Sequence, residues 1–182
     1  MIEVRWHGRG GQGAVTSVEL LAVSAIAAGK FAQGFPSFGP ERRGAPVAAF
    51  TRIDDKKIDV RSGIYEPDVV LVLDSSLIGL VNVLDGLKPG GKVIVNTPKT
   101  PEEIRKDLNF NGPVATVDGT GIARKEMGVP IANTTMIGAL LKVTGIMELD
   151  AMKDSIEHRF GRIAQKNLNA MKRAYDEIKI SK

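Results

Sequence analysis

The segment Gly8-Arg9-Gly10-Gly11-Gln12-Gly13 has the spacing G-x-G-x-x-G. Glycines at these positions let backbone amides close on a phosphate. A helix opening directly after them adds unpaired N–H groups and the positive end of its dipole. Arg9 sets a fixed cation inside the segment. A pyrophosphate is the ligand that such chemistry suits. The alternative is a tight strand-to-helix turn in which the glycines only permit close packing. Two familiar nucleotide sites are disfavoured. A dinucleotide fold expects an acidic residue about 20 positions further on, to hold ribose hydroxyls. Here Gln33-Gly34-Phe35-Pro36 offers neither an acid nor a distinct second strand. A Walker lysine is missing too, because Ala14-Val15 follows Gly13.

Two further groups of residues have the right types. Ser37-Phe38-Gly39-Pro40-Glu41-Arg42-Arg43-Gly44 places two arginines between glycines. Planar guanidinium groups suit a phosphate or carboxylate clamp. A solvated loop whose arginines pair with Glu41 and neighbouring acids explains them equally well. Ile131-Ala132-Asn133-Thr134-Thr135-Met136-Ile137-Gly138 reads as a second helix start that faces the first. Ordinary capping accounts for Asn133 and Thr134 without a ligand and is the simpler reading. Asp74 and Asp118 close strands at the end where α/β proteins bind ligands, and capping the next helix explains either of them. No Ser/His/Asp set or carboxylate pair stands out, so no residue is assigned a catalytic role. Two histidines, His7 and His158, and no cysteine leave no basis for a metal site, a thiolate nucleophile or an iron–sulfur cluster held by this chain.

These residues need elements to place them. Residues 2–7 (IEVRWH) alternate as a strand, and Val15, Val18, Leu21, Ala22 and Ala25 recur at helical spacing from Gln12 to Gly29. Residues 33–46 read as a long loop. Residues 46–53 form a strand, 54–57 a turn and 57–60 a return strand, giving a hairpin. VVLVLD at 69–74 is continuously apolar, as in a strand covered on both faces. A short helix is expected from Ser75 or Ser76 to Leu84, and strands at 92–96 and 113–118. Helices follow at 120–127, 134–143, 149–158 and 162–180. The pattern predicts one α/β domain spanning 1–182. It has three layers, a mostly parallel central sheet and a glycine-rich strand-to-helix loop near its N-terminus.

Composition narrows the partners. With 182 residues, 43% hydrophobic and 25% charged, the chain can build a core without staples and is not disordered. No apolar run approaches the ~20 residues of a bilayer helix, and the N-terminus lacks a signal-peptide design, so a cytoplasmic location is expected without membrane contact. A net charge of +4 permits an anionic ligand, whereas 5% aromatics argue against nucleic-acid stacking.

Together, GRGGQG after the first strand, SFGPERRGAPV, VVLVLD and NTTMIGALLKVTGI resemble the gamma subunit of 2-oxoacid:ferredoxin oxidoreductases, the pyruvate type above all. The resemblance covers nearly the whole chain, with the four segments in family order. Phe38 stands where many relatives carry Tyr, and Gly44-Ala45 where Gly-Gly is frequent. The resemblance implies a complex that converts a 2-oxoacid, coenzyme A and oxidised ferredoxin to acyl-CoA, carbon dioxide and reduced ferredoxin. Thiamine diphosphate, Mg and the iron–sulfur clusters would sit on alpha, beta and delta subunits, and ferredoxin would be met through the complex. This chain would hold none of them, and coenzyme A would be its ligand. Candidate contacts are then Gly8, Arg9, Gly10, Gly11, Gln12, Gly13, Arg42, Arg43, Asn133 and Thr134. A non-catalytic scaffold, or service to another 2-oxoacid, are the alternatives.

Overall fold

The computed structural model describes residues 1–37 and 43–181. Arg42 therefore lies outside the described residues, as do Phe38–Glu41. Among the described residues seven strands form one sheet: β1 (Ile2–Arg9), β2 (Phe31–Pro36), β3 (Pro46–Asp54), β4 (Val69–Val72), β5 (Lys92–Asn96), β6 (Val114–Val117) and β7 (Lys179–Ile180). Their order is β2-β3-β1-β4-β5-β6-β7. The pairs β1–β4, β4–β5 and β5–β6 are parallel, and only β3 and β7 run against the other five strands. The mostly parallel sheet expected from the sequence is thus present, with antiparallel pairing confined to its two flanks.

Six helices accompany it: α1 (Ala14–Ala27), α2 (Pro101–Leu108), α3 (Gly119–Met127), α4 (Asn133–Thr144), α5 (Lys153–Phe160) and α6 (Ala164–Glu177). Strand alternation sorts the core into two halves. Val69 and Leu71 of β4 and Ile94 of β5 face α1, α3, α4, α5 and α6. Val70, Val72, Val93 and Val95 face α2 and the segment 78–87. Both faces of the central strands are covered, which is why they read as unbroken apolar runs.

Several local expectations are corrected. Residues 31–36 are a strand, so the second strand exists and the loop after it is shorter than read. Residues 57–60 form no strand; β3 pairs with β2 and β1 instead. The segment after Asp74 makes a 3-10 turn over Ser75–Leu77 and no longer helix. Gly79 takes φ +87°, a left-handed conformation that ends helical continuation. The last helix stops at Glu177, and Lys179–Ile180 pair with β6.

One half-buried group on β1 makes stability depend on pH. Arg5 Nε donates to His7 Nε2 at 3.1 Å. Burial first, and then the Arg5 charge, lower the His7 imidazolium from 6.5 to about 4. The unfolded chain takes up this proton near 6.5 and the folded one only near 4, so stability is full above 6.5 and is lost as pH falls toward 4. Between pH 7 and 5 the loss is about 2 kcal/mol. Urea midpoints at the two pH values check it: His7→Gln should flatten that slope, and an unchanged slope overturns the assignment.

Candidate functional site

The glycine segment continues the β1–β3 ladder before it turns. Gly10 N–H donates to Ala45 O at 2.9 Å and Gly44 N–H to Gly10 O at 3.0 Å. The first two sequence motifs are therefore hydrogen-bonded to each other. Gly8 lies in the ladder opposite Val47, under Leu73 and Gln12. Arg9 spends its guanidinium inside the protein: on Asp74 at 3.2 Å, Gly44 O at 3.0 Å and Ser76 Oγ at 2.9 Å. Gln12 accepts from Arg9 N–H at 2.8 Å and donates to Asp74 Oδ2 at 2.8 Å. Asp74 also accepts from Ser76 N–H at 3.0 Å, capping the 3-10 turn. Burial pushes the Asp74 carboxyl up, but bonds from Ser76 and Gln12 and the Arg9 cation outweigh it and hold it below the usual carboxylate range. Asp74 is thus both a cap and the anchor of the glycine loop. Arg9 is a brace.

The third motif meets the first across a short gap. Gly13 precedes α1 with φ 81°, and a Cβ there would lie 2.4 Å from Asn133 Nδ2. Glycine is needed twice over, for its backbone conformation and for its neighbour. The expected capping role of Asn133 is corrected: α4 begins at Asn133, Ala132 holds the cap position, and no side chain of that residue caps it. Asn133 Oδ1 accepts from Thr134 N–H at 2.9 Å. Thr134 points elsewhere. It is buried, and its hydroxyl lies 2.7 Å from Asn167 Oδ1. α1 likewise starts without a side-chain cap, whereas Asp118 caps α3 through Gly121 N–H at 2.8 Å.

The starts of α1, α3 and α4 enclose a cleft of about 210 Å³ lined by Gly11, Gln12, Leu73, Asn96, Thr120, residues 130–132 and Asn133. It opens at the C-terminal ends of β1, β4 and β5. There the chain leaves β1 toward one face of the sheet and leaves β4 toward the other, the crevice where α/β sheets take ligands. Asn96 fixes the floor: its Nδ2 donates to Leu73 O at 2.8 Å and Thr120 Oγ1 at 2.9 Å, while its Oδ1 accepts from Thr120 N–H at 3.1 Å. No carboxylate among the described residues lines the cleft. The start of α1 has no side-chain cap, and at α4 a side chain takes only the Thr134 N–H, through Asn133 Oδ1; these helix starts and neutral amides favour a bound anion and provide neither nucleophile nor base. Arg43 stands at the rim, its Cγ 4.0 Å from where a Gly11 Cβ would be, with no polar partner among the described residues. The structure therefore gathers Gly11, Gln12, Gly13, Arg43 and Asn133, and turns Thr134 away. Asn96 and Thr120 were missed, although Asn96 ends a buried strand at its C-terminal side.

Known proteins match this chain over almost all its length. The family profile described as "Pyruvate ferredoxin/flavodoxin oxidoreductase" matches residues 3–177. The pyruvate/ketoisovalerate oxidoreductases common subunit gamma of Thermococcus kodakarensis is 52% identical over 179 residues, covering 97% of each chain. Pyruvate synthase subunit PorC of Methanocaldococcus jannaschii is 52% identical, covering 98% of this chain and 97% of its own. The crystal structure of the pyruvate oxidoreductase subunit PORC of Thermotoga maritima superposes with a TM-score of 0.90 at 42% identity, covering 100% of this chain and 98% of the other. With all three motifs inside residues 3–177, the chain belongs to the pyruvate ferredoxin/flavodoxin oxidoreductase family.

Proposed function

We propose that this chain is the gamma subunit of a multi-subunit pyruvate:ferredoxin oxidoreductase and that its cleft holds the nucleotide end of coenzyme A. Residues 1–182 then act as one accessory unit. The complex converts pyruvate, coenzyme A and oxidised ferredoxin to acetyl-CoA, carbon dioxide and reduced ferredoxin. Thiamine diphosphate, Mg and iron–sulfur clusters belong to alpha, beta and delta partners, with ferredoxin meeting the complex there. The close relatives are themselves gamma subunits of such enzymes. The complex is cytoplasmic in this reading; no helix among the described residues is long and apolar enough to cross a membrane. One observation carries the ligand assignment: α1 and α4 begin at a cleft that no carboxylate among the described residues lines, beside Arg43, which has no polar partner among those residues. A diphosphate is the part of coenzyme A that such N–H groups recognise. The chain's contribution is positioning.

Asn133→Asp tests this in the assembled enzyme. The change is nearly isosteric, and an acid in the first turn of α4 favours the helix by about 0.3–1 kcal/mol. The same acid repels a bound phosphate. The melting temperature should hold or rise while KM for coenzyme A increases about tenfold, equivalent to ~1.4 kcal/mol, at unchanged kcat. A second reading, a scaffold without a ligand, draws on the internal engagement of Arg9. An unchanged KM would establish it and remove the first.

A further inference from the structure

A second, larger groove of about 400 Å³ adjoins the cleft and shares Gly11, Ile131 and Asn133 with it. Its far wall carries Arg159, at the end of α5, and Lys166, in the first turn of α6. Neither cation has a hydrogen bond or ion pair among the described residues. This sets them apart from neighbours on the same helices: Lys153 pairs with Glu157, Lys172 with Asp176, and Arg173 with Glu126 and Glu177. No carboxylate among the described residues lines the groove. Its other wall is apolar, formed by Val129 and Ile131 with Ile163 across from them, all three exposed. An exposed apolar wall rimmed by unpaired cations marks a binding surface. The groove combines a surface for a flat heterocycle with two positive charges that match a phosphomonoester dianion.

We propose that Arg159 and Lys166 form a phosphomonoester subsite for the ribose 3′-phosphate of a nucleotide whose diphosphate lies in the adjoining cleft. Adenine would lie against Val129, Ile131 and Ile163. The proposal rests on the coenzyme A reading above and deepens it, because it assigns each phosphate of that ligand to separate residues.

The test compares coenzyme A with 3′-dephospho-coenzyme A in the assembled complex. The native enzyme should prefer coenzyme A by about tenfold in KM. Arg159→Gln with Lys166→Gln should raise KM for coenzyme A to the value for the dephospho compound. KM for the dephospho compound and kcat should both stay where they are. Both side chains are exposed and without a partner among the described residues, and activity with the dephospho compound reports that the double variant has assembled. Failure to discriminate in the native enzyme overturns the proposal, as does discrimination that survives in the double variant. An equal rise for both ligands also overturns it, since the two residues would then act on the whole nucleotide. Asn133→Asp separates the readings, because it should weaken both ligands alike. If it weakens neither while the double variant abolishes discrimination, the cleft assignment falls and the phosphomonoester subsite stands.

Discussion

Replacing Gly138 with alanine should lower the melting temperature by about 6–12 °C, corresponding to ~3 kcal/mol in a chain of this size. Intrinsic propensity argues the other way. Gly138 lies inside α4, where alanine is favoured by about 1 kcal/mol. Packing reverses the sign. A Cβ on Gly138 would lie 1.9 Å from the backbone O of Met171 and 2.8 Å from its carbonyl carbon, both in α6. A side-chain neighbour can rotate away, but a carbonyl bonded within a helix cannot. α4 and α6 would have to separate, opening contacts made by Met136, Leu140, Ala170 and Ala174, all buried in one cluster. Thermal unfolding checks the value. Because the collision is with backbone, Met171→Ala should not rescue the variant. A melting temperature equal to that of the native protein would show that the two helices shift apart without cost. The same contact bears on the cleft, since α4 presents Asn133 at its first position. Displacing it should also weaken coenzyme A in the assembled enzyme.

The central architecture was legible because its strands bury both faces. VVLVLD and KVIVN offer no alternation to misread, and α1 has apolar residues at helical spacing. Elements with weaker apolar patterns were harder. β2 and β7 sit at the two edges of the sheet, and the two residues of β7 are both exposed. α2 carried a signal that went unused: Thr100 and Glu103 form a capping box around Pro101. The segment 78–87 buries Val83 under β4 and β5, so its apolar residues are real core. Gly79 and Gly86, both with positive φ, nonetheless keep it from becoming a helix. At the cleft, the glycine segment and Asn133 were visible as types and spacing. Asp74 was visible only as a strand-end acid, because its partners Arg9 and Gln12 are more than sixty positions away. Arg159 and Lys166 had no signal, since an unpaired cation is defined by the absence of a neighbour that only the fold reveals.

Removing the carboxylate of Glu3 should cost about 3–5 kcal/mol, because it strands a buried cation. Arg52 is only 1% exposed, near the C-terminal end of β3. Its Nε donates to Glu3 Oε1 at 2.8 Å across the β1–β3 pair, where the two residues stand opposite each other. Gln33 Oε1 at 3.3 Å and Gly63 O at 3.0 Å take its other nitrogens, and the guanidinium sits 5.5 Å from the Phe35 ring centroid. These groups orient Arg52, but none of them carries negative charge. Lys88 reaches the other Glu3 oxygen at 3.4 Å and Asp68 at 2.9 Å, so it keeps a partner when Glu3 is lost. Glu3→Leu therefore isolates one charge, that of Arg52. Replacing both partners with apolar side chains of similar size removes the isolated charge as well, and such exchanges are often neutral or stabilising. Glu3→Leu with Arg52→Met should thus unfold at higher urea than Glu3→Leu alone. A double-mutant cycle read from urea midpoints decides the matter. Additive losses would mean that water reaches Arg52 once Glu3 is gone, and a loss below about 1 kcal/mol for Glu3→Leu would place the pair among ordinary surface ion pairs.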